Sequence, residues 1–282
     1  MQSNEPTTPT LASLSAVVRL LVDADPKVVA ACRLQLSEWG ESARNVLDEG
    51  ARSDEPAVRR VCHELLRRLN LRRAPDRLRE LSESDSEGFL ERGVALLAEM
   101  DHGIRFDRRR MDALLDMLAA ELTRMLRGRA SPARCLADLM GHRMAFTVDT
   151  EAGRRLESHR VDVVLQRRTG APAALAAVYV LVGRRAGLCV TGVRMLSHHL
   201  VRVHGRRPTL LAPASGGKAV LKADCVRYLR DAGWGGPKSR LLADLSDRHL
   251  LAALAEQTRI AYGFQEDVEA LRILDDFIAV LV

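Results

Sequence analysis

Residues 167–202 read RRTGAPAALAAVYVLVGRRAGLCVTGVRMLSHHLVR. Pro172 stands where a helix can begin, because a first-turn residue needs no N–H donor. From Ala173 to Val182 the chain is apolar on every side, the pattern of a helix buried all round. Gly187 predicts its end, and Arg184 and Arg185 place positive charge near the negative end of its dipole. Leu188–Val193 and His199–Val203 are then short, β-branched and separated by a turn, which predicts adjacent antiparallel strands. The layout is that of half an active site: a Gly-Pro turn, a buried helix, then a strand ending at paired histidines. The helix opens with Ala173-Ala174-Leu175-Ala176, residues that carry no reactive group.

The rest of the chain sets the frame. Its 282 residues are 47% hydrophobic and 28% charged but only 4% aromatic, a globular composition rich in helix-favouring Ala, Leu and Arg. The net charge is +6. Only Lys27, Lys218, Lys222 and Lys238 are lysines among 43 basic residues, and 37 acidic residues are interspersed with them. That bias fits genome composition better than a phosphate-tracking surface, so nucleic acid is not the expected partner. Cys32, Cys62, Cys135, Cys189 and Cys225 are widely spaced with no CxxC, which argues against disulfides and a zinc site. With no basic-then-apolar leader and no run of 18 apolar residues, a cytoplasmic chain with no membrane association is expected.

Residues 1–10 are expected to form a disordered tail. Asp25-Pro26-Lys27-Val28-Val29-Ala30-Ala31-Cys32 is then echoed by Glu55-Pro56-Ala57-Val58-Arg59-Arg60-Val61-Cys62. Each copy starts a helix at its proline, and each follows another helical stretch, Leu11–Val22 and Ala43–Ala51. The reading is two helix pairs of a HEAT-like array over 11–70, with Cys32 and Cys62 as small core residues. A linker over 71–87 is expected from Ala74-Pro75 and the polar run from Ser82 to Glu87. Helices follow at 86–100, 108–127, 131–146 and 159–168. Beyond the quoted stretch come a strand at Thr209–Ala212, a tight turn at Ser215–Lys218, a pairing at Val220-Leu221, a helix over 222–230 and two amphipathic helices, 246–262 and 265–281. The expected fold is α+β and mostly helical: a core at 88–232, with a buried helix packed on a small antiparallel sheet, then a separate helix pair at 233–282.

Val164–Pro172, Val178-Tyr179, Gly183–Leu188, Gly192-Val193, His198, Leu200-Val201-Arg202 and Pro213–Gly217 occur in an order that resembles the SirB-type branch of the transglutaminase-like superfamily. The resemblance covers about 88–280 and implies a papain/transglutaminase-like core. In that superfamily a nucleophile opens the buried helix, a histidine on the next strand takes its proton, and a carboxylate on the following strand orients the ring. Carried over, these positions are Ala174, His198 and Ala212. One member of three survives. Leu196-Ser197-His198-His199 also departs from the family's Pro-Gly-His-Phe.

The resemblance therefore implies a vestigial triad, with no catalytic residue, cofactor or metal. His198, His199, Arg202, Tyr179, Arg167 and Arg168 remain as candidate cleft or binding residues. His198 and His204 share strand parity while His199 faces the other side, so they form no convergent metal site. Solvated arginines are the simpler reading of Arg167-Arg168. Two functional readings follow. The favoured one is a catalytically inactive module that binds or scaffolds protein partners. The alternative is a hydrolase or acyltransferase in which His198 serves a relocated nucleophile, with Cys189, Cys225, Ser197 and Ser215 as the side chains to weigh.

Overall fold

The computed structural model describes residues 16–83, 88–100, 106–128, 130–196, 198–235 and 242–282; the tail expected at 1–10 lies outside them. These residues fall into two compact units, one formed by the chain up to Ala74 with the stretch from Glu99, the other by Pro75–Ala98 and Phe106–Val282.

In the first unit the prolines start their helices. Helix α1 (Pro26–Trp39) is capped by Asp25, whose carboxylate accepts the Lys27 N–H at 2.8 Å. Helix α2 (Arg44–Gly50) precedes α3 (Pro56–Glu83). Cys32, Leu36, Val58, Cys62 and Leu65 share one buried cluster with Val46 and Leu47. Gly50 is needed in it, because a β-carbon there would lie 2.5 Å from Cys62 Sγ.

The linker expected from residue 71 is helical instead. Helix α3 runs through Pro75 to Glu83, while 84–87 lie outside the described residues. A mid-helix proline costs about 3 kcal/mol. Leu71, Ala74, Leu78 and Leu81 are all buried at helical spacing, and that apolar stripe offsets the cost.

The second unit carries helices α4 (Phe89–Met100), α5 (Arg108–Leu126), α6 (Pro132–Ala137), α7 (Val161–Arg167), α8 (Pro172–Arg185), α9 (Lys222–Asp231), α10 (Asp247–Phe264) and α11 (Val268–Leu281). The helix expected over 131–146 is α6 followed by a π-helical turn, Asp138–Arg143. Strands β1 (Thr147–Val148) and β2 (Thr169–Gly170) form a parallel pair. The main sheet holds β3 (Val190–Met195), β4 (His198–Val203), β5 (Thr209–Ala212), β6 (Lys218–Val220) and β7 (Asp244–Leu245), in the order β6-β5-β4-β3-β7, all antiparallel. The segment expected as a separate pair at 233–282 is part of this unit. It supplies β7 as a sheet edge, and its helix α10 packs against α8.

Helix α8 is the centre of the unit. Every residue from Ala173 to Gly183 is buried, and α5, α7, α10 and the sheet all pack on it. Its C-terminal end is fixed by charge. Arg184 binds Asp247 at 2.7 Å and the Val190 carbonyl at 2.9 Å. Arg185 reaches Glu91, Asp112 and Asp116 at 2.8, 3.2 and 2.6 Å. Such multiply bonded guanidinium groups hold geometry better than single exposed ion pairs do.

The π-helical turn meets the Gly216–Gly217 turn main chain to main chain. A β-carbon on Gly141 would lie 1.7 Å from the Gly216 carbonyl oxygen. Gly141→Ala is therefore expected to cost about 3 kcal/mol by forced displacement. Gly153→Ala, where a β-carbon meets nothing within 4 Å, should change stability by less than about 0.5 kcal/mol. Denaturant unfolding of the two variants checks this contrast.

Candidate functional site

The first turn of α8 is where the resemblance places a nucleophile. Ala173, Ala174, Leu175 and Ala176 are fully buried there. Pro172 has no N–H to satisfy, and the Leu175 N–H bonds the Ala171 carbonyl at 2.9 Å. The Ala173 N–H is answered from far along the chain: Gln257 of α10 accepts it through Oε1 at 3.1 Å. The neighbouring Glu256 pairs with Arg194 of β3 at 3.0 Å. One turn of α10 thus ties the start of α8 to the end of β3.

Strand parity decides which histidine meets this place. A β-carbon on Gly183 would lie 2.6 Å from Val190 Cγ2, and one on Gly192 would lie 3.2 Å from Leu250 Cδ1 of α10. Val190, Gly192 and Arg194 therefore face α8 and α10. Their cross-strand partners Val203, Val201 and His199 share that face. The opposite face belongs to α9: Val193, Met195, Leu200 and Leu210 cluster with Cys225 and Leu229, and Ala212 packs against them.

The position carried over for the base is corrected by this parity. His198 pairs with Met195 and points to the α9 face, where its Nε2 lies 3.0 Å from the Tyr228 hydroxyl and its ring meets the tyrosine edge-on. Ala212 lies on that same face, so neither points at Ala174. The side chain that does turn toward α8 is His199. Helix α8 and strand β3 are joined by a short turn and run in opposite directions. From Val190 to Arg194 the strand advances about 13 Å, and from Gly183 back to Ala174 the helix covers about the same. His199, opposite Arg194, is therefore level with the first turn of α8.

His199 is only 5% exposed, and neither ring nitrogen has a hydrogen-bond partner among the described residues. Burial, aided by the charges of Arg194 and His198, pushes its pKa down to about 4. It is held as a neutral imidazole with unused donor and acceptor atoms, a costly state for a buried polar group.

The other candidates are placed as follows. Arg202 joins β4 to β7, bonding the Asp244 carboxylate and, at 2.6 Å, the Leu242 carbonyl. Tyr179 is fully buried with no partner for its hydroxyl among the described residues. It abuts the Gly216–Gly217 turn, and burial raises its pKa. Arg167 and Arg168 are exposed at the end of α7, with Arg168 in the left-handed conformation of a helix cap. Cys189 is exposed beyond the far end of α8. Cys225 lies under the other face of the sheet with its thiol pKa raised by burial. Ser215 is exposed in the turn, and Ser197 lies outside the described residues. The structure thus joins Ala173 to Gln257, Glu256 to Arg194, and Arg194 across the hairpin to His199, and leaves His198 and Ala212 on the other face of the sheet.

A second polar group escaped the sequence reading. Arg160 and Asp162 form a buried ion pair at 2.7 Å. Beside them Ser158 donates to Asp149, and His159 Nε2 lies 2.8 Å from the Ala152 carbonyl. Burial opposes ionisation of Asp149, but the bonds from Ser158 and the Glu151 amide outweigh it and hold the carboxyl low. This group braces the 149–162 segment that leads into α7. Among the described residues, no group of three or more His, Cys, Asp or Glu side chains is placed to hold a metal ion.

A profile of the transglutaminase-like superfamily matches residues 109–256, just over half of the chain. The chain belongs to the transglutaminase-like superfamily. The matched region ends at Glu256, immediately before Gln257, and includes α8, β3–β7 and most of α10. No curated protein and no solved structure matches the chain. In this transglutaminase-like domain the buried helix begins without a nucleophile at the position carried over, while an imidazole still faces it.

The site's titration has a defined sign. The folded chain binds a proton at His199 less readily than the unfolded chain, whose ordinary value is 6.5. Its stabilising contribution is complete above that value and is lost as pH falls toward about 4. His159, also lowered by burial, acts in the same direction. His199→Phe should reduce the stability lost between about pH 7.5 and about pH 4.5 by about 2–3 kcal/mol, the linkage value of such a shift. Chemical denaturation of variant and parent at the two pH values measures it.

Proposed function

We propose that this chain is a catalytically inactive transglutaminase-like protein that works as a protein-binding or scaffolding module. The observation that carries this reading is the first turn of α8. Buried alanines fill the reacting position, and a carboxamide from α10 already satisfies the Ala173 N–H. A nucleophile must be ionisable and within hydrogen-bonding reach of its base. Cys135 and Cys225 have thiol pKa values raised by burial, and burial pushes Cys62 up to about 11. Cys189 lies at the opposite end of α8 from His199.

The helical first unit, taken as a HEAT-like stack, supports the binding role, since stacked helix pairs present extended surfaces to partners. A cytoplasmic setting and a protein partner, rather than nucleic acid, belong to the same reading. Incubation of the purified full-length chain with a thioester acyl donor, followed by intact-mass analysis, should show no His-dependent covalent adduct. An adduct on Cys189 or Cys225 that disappears in His198→Ala or His199→Ala would overturn the proposal in favour of a relocated nucleophile.

A further inference from the structure

We infer that the first turn of α8, with His199 and Gln257, is a carboxylate-binding site that Gln257 occupies from within the chain. The inference rests on the non-catalytic reading of the same site and names the chemistry it would take.

Three observations from separate elements converge on it. Helix α8 is 14 residues long, and its N-terminal end carries partial positive charge and favours anions. His199 supplies a buried imidazole that is more than nine-tenths buried, unpartnered among the described residues and level with that turn. Gln257 supplies the third: its Oε1 sits 3.1 Å from the Ala173 nitrogen and so marks where an acceptor oxygen rests.

The donors outnumber the acceptors. The Ala173 N–H and the N–H of a neutral imidazole both call for acceptor oxygens, and Gln257 Oε1 answers only the first. The carboxylate next to Gln257 in the chain, Glu256, is already paired with Arg194. A ligand with two acceptor oxygens and one negative charge matches this set better than a neutral amide does. Gln257 itself is half-buried, so the ligand reaches the turn from solvent by displacing one flexible side chain.

The carboxylate has two sources, a small free acid or the C-terminus of a peptide. The test uses full-length protein with imidazole and backbone 15N labelling, titrated with acetate, acetyl-triglycine and amidated acetyl-triglycine. Acetate is expected to shift the His199 ring and Ala173 amide signals saturably. Gln257→Ala should bind it about fivefold more tightly, because the internal competitor is gone. His199→Phe should weaken binding about tenfold through loss of a charge-assisted hydrogen bond. Gln257→Glu places a carboxylate on the chain itself and should abolish the acetate response while leaving the fold intact, which guards against misfolding of the alanine variant.

A response to acetate alone assigns a small acid, and a response to the free-acid peptide as well assigns a peptide terminus. Absence of any saturable shift in both the parent and Gln257→Ala overturns the inference. Equal binding of the amidated peptide, or binding unaffected by His199→Phe, overturns it too. An acyl adduct in the mass experiment would remove the non-catalytic reading while leaving these titrations to report separately.

Discussion

A helix buried along almost its whole length must have both ends satisfied by other elements, and α8 imposes that demand on the whole second unit. Its interior bonds are its own. Its ends are not, because the terminal N–H and C=O groups of a helix have no partner within it. The C-terminal end is closed by Gly187 in the left-handed conformation, with the Leu188 N–H on the Gly183 carbonyl at 2.9 Å, and by the two arginines held in carboxylate networks. The N-terminal end is closed by one carboxamide from α10. The β7 edge and the C-terminal helices follow from these requirements: α10 must lie where Asp247 meets Arg184 and Gln257 meets Ala173, and 10 residues of helix separate those contacts by about 15 Å.

Apolar helix packing accounts for the lack of reactive groups at the heart of the domain. Gly183 admits Val190, Gly93 admits Leu251, and the small side chains at 173, 174, 176 and 177 are fully enclosed. A thiol or hydroxyl at the first turn would need room and a base. The residues present supply close contact instead, with a single imidazole left facing them.

Much of this was legible in the sequence. The prolines at 26, 56, 132 and 172 each begin a helix, because fixed backbone geometry and a missing donor suit that position. The all-round apolar run identified α8, and β-branched residues between glycines identified β3 to β5. What the sequence concealed was which face of the strand meets α8. The choice between His198 and His199 depends on the register of the β3–β4 hairpin, in which Met195 pairs with His198 and Leu196 takes a positive φ at the tip. A one-residue difference sends every side chain to the other face. Strands β1, β2 and β7 are two residues each, too short for an alternating pattern. Gln257 was hidden because its partner lies 84 residues away, and one polar residue on an amphipathic helix gives no local sign of a distant contact. The expected break at Pro75 failed because burial on both sides of the proline outweighed its local penalty.

The junction between Gly141 and Gly216 bears on motion. Side chains ordinarily absorb small displacements by changing rotamer, as a cushion does. Here two main chains touch with no side chain between them. The π-helical turn and the glycine turn therefore have no side chain between them to take up a displacement of either. Tyr179 rests against the same turn from α8, so the buried helix, the glycine turn and the π-helical turn meet at one place.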